Sequence, residues 1–182
     1  MKNLDKITYE QAATETQGVY DALKSKVGMV PNLYATVANS HKALTAMLQL
    51  GETLGGGEFN SKEVETIALA VGEANSCDYC LSAHTTVGKM VGLTEEQTVA
   101  IRKGEVEDDK LRALAQLARE ITITRGKPAQ EFVDSFFNAG YSKAALAEII
   151  GFVALNTFTN YVNHIADTEI DFPKAKALTQ LA

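Results

Sequence analysis

The sequence has little of several things that would point to particular functions. It has no tryptophan, three prolines, two cysteines and no basic block, and its 17 Lys and Arg are outnumbered by 23 Asp and Glu, a net charge of -6. Binding to nucleic acid or to anionic lipid needs clustered positive charge, so we expect neither partner. Uninterrupted apolar runs are only a few residues long, against roughly 20 for a membrane span, and no span is predicted.

The beginning of the chain, MKNLDKITYEQ, lacks the apolar stretch of a secretion signal, so a reducing cytoplasm is the expected location. In that compartment a cysteine pair is more often a metal site or a redox centre than a structural staple. With 46% apolar residues, the chain can bury one sizeable core. We therefore expect a single domain over residues 1–182.

Apolar residues recur at helical spacing and no window alternates as a strand would, which predicts an all-α fold of about eight helices. Two capping boxes mark helix starts, Asn60 with Glu63 and Thr94 with Gln97. Helical segments are expected at about 8–27, 31–38, 41–54, 61–74, 77–90, 95–103, 109–124, 128–137 and 143–165. Five phenylalanines at helical spacings are predicted to be core residues: Phe132, Phe136, Phe137, Phe152 and Phe158.

The two cysteines, Cys77 and Cys80, stand three residues apart on a predicted helix. Side chains at that spacing are neighbours, within the range of roughly 4.4–6.8 Å between Cα atoms that a disulfide closes. A break at 75–76 would place Cys77 in the first helical turn, where unpaired N–H groups and the helix dipole favour a thiolate. His84 follows Cys80 by four residues, on the same face and within reach of its sulfur.

Glu65 joins this group only if the chain folds back at residues 75–76. On one continuous helix it would lie about 18 Å from Cys77. In an antiparallel hairpin, Glu65 and His84 would be nearly level. A carboxylate that orients an imidazole, which in turn deprotonates a thiol, follows the logic of a catalytic triad. We therefore predict a relay from Glu65 through His84 to Cys80, by direct contact or through water.

The pattern Glu-x11-Cys-x2-Cys-x3-His resembles the signature of the AhpD-like alkyl hydroperoxidases, within the carboxymuconolactone decarboxylase-like superfamily. The match is complete at Glu65, Cys77, Cys80 and His84, and the stretches NSCDYCLSAHT and MVPNLY are similar as well. One departure is Tyr79, which stands where some members have a histidine thought to assist. Tyr79 could shape the pocket or donate a hydrogen bond, and ordinary packing is an equal alternative.

This resemblance implies a thiol peroxidase that needs no cofactor and no metal. A thiolate would attack a hydroperoxide, giving an alcohol and a sulfenic acid, and the partner thiol would close a disulfide. A dithiol donor of thioredoxin or lipoyl type would then restore the pair. Cys80 is our choice for the attacking thiol, although the first-turn position argues for Cys77. The resemblance also implies a homo-oligomer, a trimer or hexamer, with the site near a subunit interface.

Two other functions fit the same residues. One is a disulfide reductase or redox adaptor without peroxidase activity, and the other is a binding module stabilised by zinc. Zinc usually takes four ligands, and Cys77, Cys80 and His84 supply three, with only His41 and His164 as further histidines. In an assembled oligomer, His164 and Asn160 could also approach the site. Decarboxylation is disfavoured because the superfamily's lactone decarboxylases lack the cysteine pair.

A faint internal repeat links SKEVETIALAVGEAN at 61–75 with SKAALAEIIGFVALN at 142–156. Two pseudo-repeated helical halves would follow, with the redox motif in 61–91 and a degenerate copy in 142–166. The counterparts of the two cysteines and the histidine in that copy are Phe158, Tyr161 and Ile165. Chance similarity between two apolar helices explains the match equally well.

Overall fold

The computed structural model of the chain describes residues 4–178, so both ends of the predicted 1–182 domain, residues 1–3 and 179–182, lie outside it. Over the described residues the chain forms nine helices and no strand, which confirms the all-α fold. Each of the nine expected segments corresponds to one helix, so the figure of about eight was one too low. They are α1 (Thr14–Val27), α2 (Asn32–Val37), α3 (His41–Gly55), α4 (Ser61–Ala74), α5 (Asp78–Met90), α6 (Glu95–Lys103), α7 (Asp109–Ile123), α8 (Gln130–Asn138) and α9 (Lys143–Ala166).

Helix α4 is the central element, since it packs against α5, α6, α7 and α9. Its residues 65–72 are all buried, as expected of a helix that is apolar on nearly every side. The predicted capping box is present: the Asn60 side chain accepts from the backbone of Glu63, whose carboxylate accepts the N–H of Asn60. This cap fixes the start of α4 and hence the height of Glu65 in the bundle.

The chain reverses between α4 and α5, as the hairpin argument requires. Asn75 ends α4, Ser76 has a left-handed φ of 55°, and the N–H of Cys77 donates to the carbonyl of Gly72 at 2.9 Å. A Cβ at Gly72 would stand 3.3 Å from the Leu81 side chain. The missing side chain therefore lets the two helices approach closely beside the cysteines.

Three local predictions were wrong. Helix α1 begins at Thr14 instead of residue 8, and α8 begins at Gln130, two residues after Pro128. Phe158 is 39% exposed and is not a core residue. In the segment 142–166, the proposed degenerate copy, no break corresponds to the one at 75–76, because α9 continues as one helix of 24 residues.

Helix α9 also meets the length and composition of a membrane span, with a mean hydropathy of 1.2 over its most apolar window. Counting uninterrupted apolar runs missed this, because polar asparagines and threonines divide the stretch. In the structure α9 packs against α2, α3, α4, α5 and α7 and buries Asn156, Asn160 and Asn163. It is the only such helix among residues 4–178.

The residues after α9 form a covering segment, residues 168–177, that folds over α5. The Ala175 N–H donates to Ser82 Oγ at 3.2 Å, and Arg102 donates to the carbonyl of Lys176 at 2.7 Å. Ile170 and Phe172 pack against the cysteines. The covering segment thus closes the side of α5 on which Cys77 lies.

Candidate active site

The two sulfurs are joined in the structure. Cys77 and Cys80 form a disulfide with 5.3 Å between their Cα atoms, inside the range that the spacing predicts. Cys77 is itself the N-cap of α5, and its sulfur accepts the N–H of Cys80 at 3.4 Å. The prediction that residues 75–76 cap the helix was therefore wrong by one residue, and Cys77 lies just before the first turn instead of in it.

Glu65 and His84 meet across the α4–α5 hairpin. Glu65 Oε2 lies 2.8 Å from His84 Nδ1, and the two side chains are 11% and 28% exposed. Because this contact uses Nδ1, the other ring nitrogen, Nε2, is the one left to exchange a proton with a ligand. A largely buried carboxylate at this distance fixes the orientation of the imidazole ring.

Cys80, His84 and Glu65 share the wall of one cavity of about 660 Å³. Cys77 is not part of this wall. Most of the remaining lining is apolar and comes from α1, α2, α3 and α9: Val19, Ala22, Leu23, Val27, Leu33, Met47, Leu48 and Leu155. Polar groups stand among them, namely Lys26, Tyr34, Glu52, Tyr79, Asn156 and Thr159. Such a cavity suits a small organic molecule with a polar reactive end.

Tyr79 combines the two roles that its position left open. It lines the cavity, and its hydroxyl oxygen accepts the N–H of Leu33 at 3.1 Å, at the start of α2. Its ring meets Phe172 of the covering segment edge-on, 5.8 Å between centroids. Burial raises the pKa of Tyr79 well above its ordinary value, and the nearby Asp171 raises this pKa further. Tyr79 therefore stays neutral and ties α2 and the covering segment to the cysteine helix.

A second tyrosine of the cavity, Tyr34, is affected by the same surroundings. Burial raises the pKa of Tyr34, and the negative charge of Glu65 raises this pKa further. The cavity wall thus offers neutral phenols beside the imidazole and the disulfide.

Two asparagines of α9 contact the sulfurs. Asn160 Nδ2 donates to Cys80 Sγ at 2.9 Å, and Asn163 Nδ2 lies 3.2 Å from the same sulfur and 3.9 Å from that of Cys77. Asn160 reaches the site within one chain, without the help of an oligomer. The sequence shows asparagines at 156, 160 and 163 in a largely apolar helix. Helical periodicity alone does not reveal that they are buried, where their amides need hydrogen-bond partners.

The histidines that could complete a zinc site lie elsewhere in the subunit. His41 Nδ1 contacts Thr16 Oγ1 at 3.0 Å, and His164 is exposed beside the ring of Tyr161. Among residues 4–178, no group of three or more His, Cys, Asp and Glu side chains is arranged to hold a metal ion.

Part of the chain matches a known protein family, and several solved structures share its fold. Residues 41–122 match the carboxymuconolactone decarboxylase family, and no curated protein matched the sequence. The debrominase Bmp8, solved with 2,3,4-tribromopyrrole, has a TM-score of 0.80 at 18% identity over 94% of this chain and 92% of that one. An uncharacterised peroxidase-related protein from Ralstonia eutropha JMP134, with an alkylhydroperoxidase AhpD core, has a TM-score of 0.81 at 17% identity over 90% and 89%.

A third similar structure is an uncharacterised peroxidase-related protein from Silicibacter sp. TM1040. Its TM-score is 0.77 at 21% identity, over 92% of this chain and 91% of that one. At these identities the likeness shows a common fold, and the activity of each similar protein does not carry over to this chain.

Proposed function

We propose that the chain is an AhpD-like member of the carboxymuconolactone decarboxylase superfamily and that it reduces organic hydroperoxides through the Cys77–Cys80 pair. One observation carries this proposal: the Glu65–His84 pair, joined at 2.8 Å, opens onto the same cavity as Cys80. A base held by a carboxylate, a thiol one helical turn away and room for an organic molecule are the parts that the reaction needs.

Our proposed cycle begins with the reduced pair. His84 takes the proton of the Cys80 thiol, and the thiolate attacks the terminal oxygen of the hydroperoxide. The O–O bond breaks, Cys80 becomes a sulfenic acid, and the departing alkoxide takes the proton back from His84. Cys77 then attacks the Cys80 sulfur, and the S–O bond breaks with loss of water. The proposed step would give a disulfide between the same two cysteines that are joined in the structure.

Electrons from a dithiol donor close the cycle. A donor of thioredoxin or lipoyl type would attack the disulfide, pass through a mixed disulfide and leave oxidised. Overall, one hydroperoxide and one dithiol give one alcohol, one water and one disulfide. Such donors are maintained in a reducing cytoplasm, which we propose as the location.

We assign the attack to Cys80 because its sulfur lies on the cavity wall with His84, whereas Cys77 is not part of that wall. Cys77 is the helix cap and its sulfur accepts the N–H of Cys80, which also favours a thiolate, but a substrate in the cavity does not meet this sulfur. Cys77 would therefore be the resolving thiol.

Thiol titration before and after one equivalent of cumene hydroperoxide tests the proposal. We expect the reduced protein to lose two thiols and to consume peroxide continuously once a dithiol is supplied. After peroxide treatment, Cys77→Ser should label with a sulfenic acid reagent and Cys80→Ser should not. Unchanged thiols after peroxide would refute the proposal, and labelling of Cys80→Ser alone would reverse the roles of the cysteines.

The same titration separates the other functions. A redox adaptor would exchange disulfides with lipoyl or protein thiols without consuming peroxide. Because a debrominase shares the fold, 2,3,4-tribromopyrrole belongs in the assay as a second electron acceptor. Bromide release without peroxide consumption would point to reductive dehalogenation by the same pair.

We also propose that the subunit assembles with copies of itself, as a trimer or hexamer. Helix α9 carries no charged Lys, Arg, Asp or Glu from residue 149 to residue 166. Four large side chains of this stretch are 39–58% exposed along the helix: Ile150, Phe158, Tyr161 and Ile165. An apolar stripe of this kind is typical of a surface that a partner covers. Light scattering during gel filtration measures the mass of the assembly.

A further inference from the structure

Helix α9 reaches the redox centre with carboxamides instead of charged groups. Asn160 and Asn163 are 0% and 5% exposed, and both amide nitrogens point at Cys80 Sγ. We propose that these two asparagines stabilise the Cys80 thiolate in the reduced enzyme and so select Cys80 as the nucleophile. The inference rests on the proposed thiol chemistry and adds two catalytic residues to it.

The orientation of Asn160 is fixed by a third asparagine. Asn75 Nδ2, at the end of α4, donates to Asn160 Oδ1 at 2.8 Å. This bond occupies the oxygen of the Asn160 carboxamide and turns its NH₂ group towards the sulfur. Asn75 is thus a positioning residue, which acts on Cys80 only through Asn160.

The two sulfurs differ in the hydrogen bonds that they accept. Cys80 Sγ accepts from two side-chain N–H donors of α9 at 2.9 and 3.2 Å, whereas Cys77 Sγ has the backbone N–H of Cys80 at 3.4 Å and Asn163 Nδ2 at 3.9 Å. A hydrogen bond to the charged form of a group lowers its pKa, so the asymmetry favours a thiolate on Cys80. Two N–H donors stabilise a thiolate in the same way that the donors of an oxyanion hole stabilise a developing oxyanion.

The oxygen of the Asn163 carboxamide has a further role in this proposal. Asn163 Oδ1 is buried and has no hydrogen-bond partner among the described residues. A buried acceptor without a hydrogen bond destabilises the protein, so we infer that Asn163 Oδ1 accepts from a donor in another state of the enzyme. Reduction supplies one: two electrons and one proton convert the disulfide into a Cys80 thiolate and a Cys77 thiol. The Cys77 S–H can then donate to Asn163 Oδ1, which keeps Cys77 protonated.

The other titratable groups of the cavity wall, and Asp171 beside Tyr79, are left unchanged in the test. They are Lys26 of α1, Tyr34 of α2, Glu52 of α3, Glu65 of α4, Tyr79 and His84 of α5, and Asp171 of the covering segment. None of them is altered in the variants below. A change in the titration of Cys80 is therefore assigned to the carboxamides.

The test measures the pKa of Cys80 in the reduced Cys77→Ser protein, from the ultraviolet absorbance of its thiolate as a function of pH. Adding Asn160→Leu or Asn163→Leu removes N–H donors at nearly constant volume. We expect each change to raise the Cys80 pKa by about one to two units. Thr66→Val is the matched control, because Thr66 is equally buried but lies outside the cavity wall and donates to the carbonyl of Lys62. It should leave this pKa unchanged.

If a leucine variant does not fold, Asn160→Asp and Asn163→Asp keep the shape of the side chain. The ionised carboxylate has no N–H or O–H donor and repels a thiolate, so it raises the Cys80 pKa. An unchanged pKa in folded variants at both positions overturns the inference. So does a rise as large in Thr66→Val. Since no peroxide is used, the result is independent of whether hydroperoxides are the substrate.

Discussion

Replacing Glu65 by glutamine tests whether the carboxylate drives the chemistry or only packs beside the imidazole. The amide oxygen of the new side chain can still accept from His84 Nδ1, so the change removes the charge and keeps the shape. Hydrogen bonds to charged groups contribute about 1.5–3 kcal/mol and neutral ones about 0.5–1.5, a difference of roughly 1–1.5 kcal/mol. The pair is mostly buried, so screening by water is limited. We expect disulfide formation after peroxide addition to slow roughly five- to twelvefold.

The assay is a single turnover: the reduced protein is mixed with cumene hydroperoxide, and free thiols are counted against time. Glu73→Gln is the matched control, because Glu73 lies on the same helix and its charged hydrogen bond, at 2.7 Å, goes to Arg102. That variant should lose stability and keep the rate. An unchanged rate in Glu65→Gln, or equal slowing in both variants, would refute the role of Glu65.

Three further predictions concern the surroundings of the site. Tyr79→Phe leaves the Leu33 N–H without its acceptor and should lower the free energy of unfolding by about 1 kcal/mol in urea titrations at neutral pH. Burial raises the pKa of Tyr79 above its ordinary value of about 10, so the folded protein holds this proton more tightly than the unfolded chain. The resulting stabilisation is complete below pH of about 10 and is lost as the pH rises further. Between neutral pH and this alkaline range, Tyr79→Phe should therefore lose less stability than the parent protein. Phe172→Ala uncovers the disulfide and should speed its reduction by a protein dithiol that attacks Cys77. Reduction by dithiothreitol should not change, because this small molecule can enter through the cavity. Equal effects on both donors would contradict the covering role. Phe158→Lys places a charge in the apolar stripe of α9 and should reduce the mass seen by light scattering, whereas an unchanged mass would move the interface elsewhere.

Local chemistry made much of the fold predictable. A cap followed by an acid or amide three residues later gave the starts of α4 and α6, because the interaction that forms the cap is contained in four residues. The meeting of Glu65 and His84 was also within reach, since a hairpin of known turn position equates distance before the turn with distance after it. These predictions needed only helix geometry.

Contacts between distant parts of the chain were not predictable in this way. Asn160 and Asn163 stand about 80 residues from the cysteines in sequence, and nothing in their local pattern says which face of α9 meets α5. The covering segment has no helical periodicity and reaches Ser82 across 93 residues. The cap at Cys77 was missed because serine and asparagine are far commoner caps than cysteine. Phe158 was misassigned because spacing identifies an apolar face without saying whether the same subunit covers it.

The way Tyr79 is held has a practical consequence for protein engineering. Its hydroxyl accepts from Leu33 and its ring rests on Phe172, so chain segments separated by well over a hundred positions meet at the residue between the two cysteines. A synthetic peptide spanning only α4 and α5 would carry the motif without these supports. Anyone transplanting this redox pair into another scaffold must bring equivalents of α2, α9 and the covering segment, or rebuild their contacts.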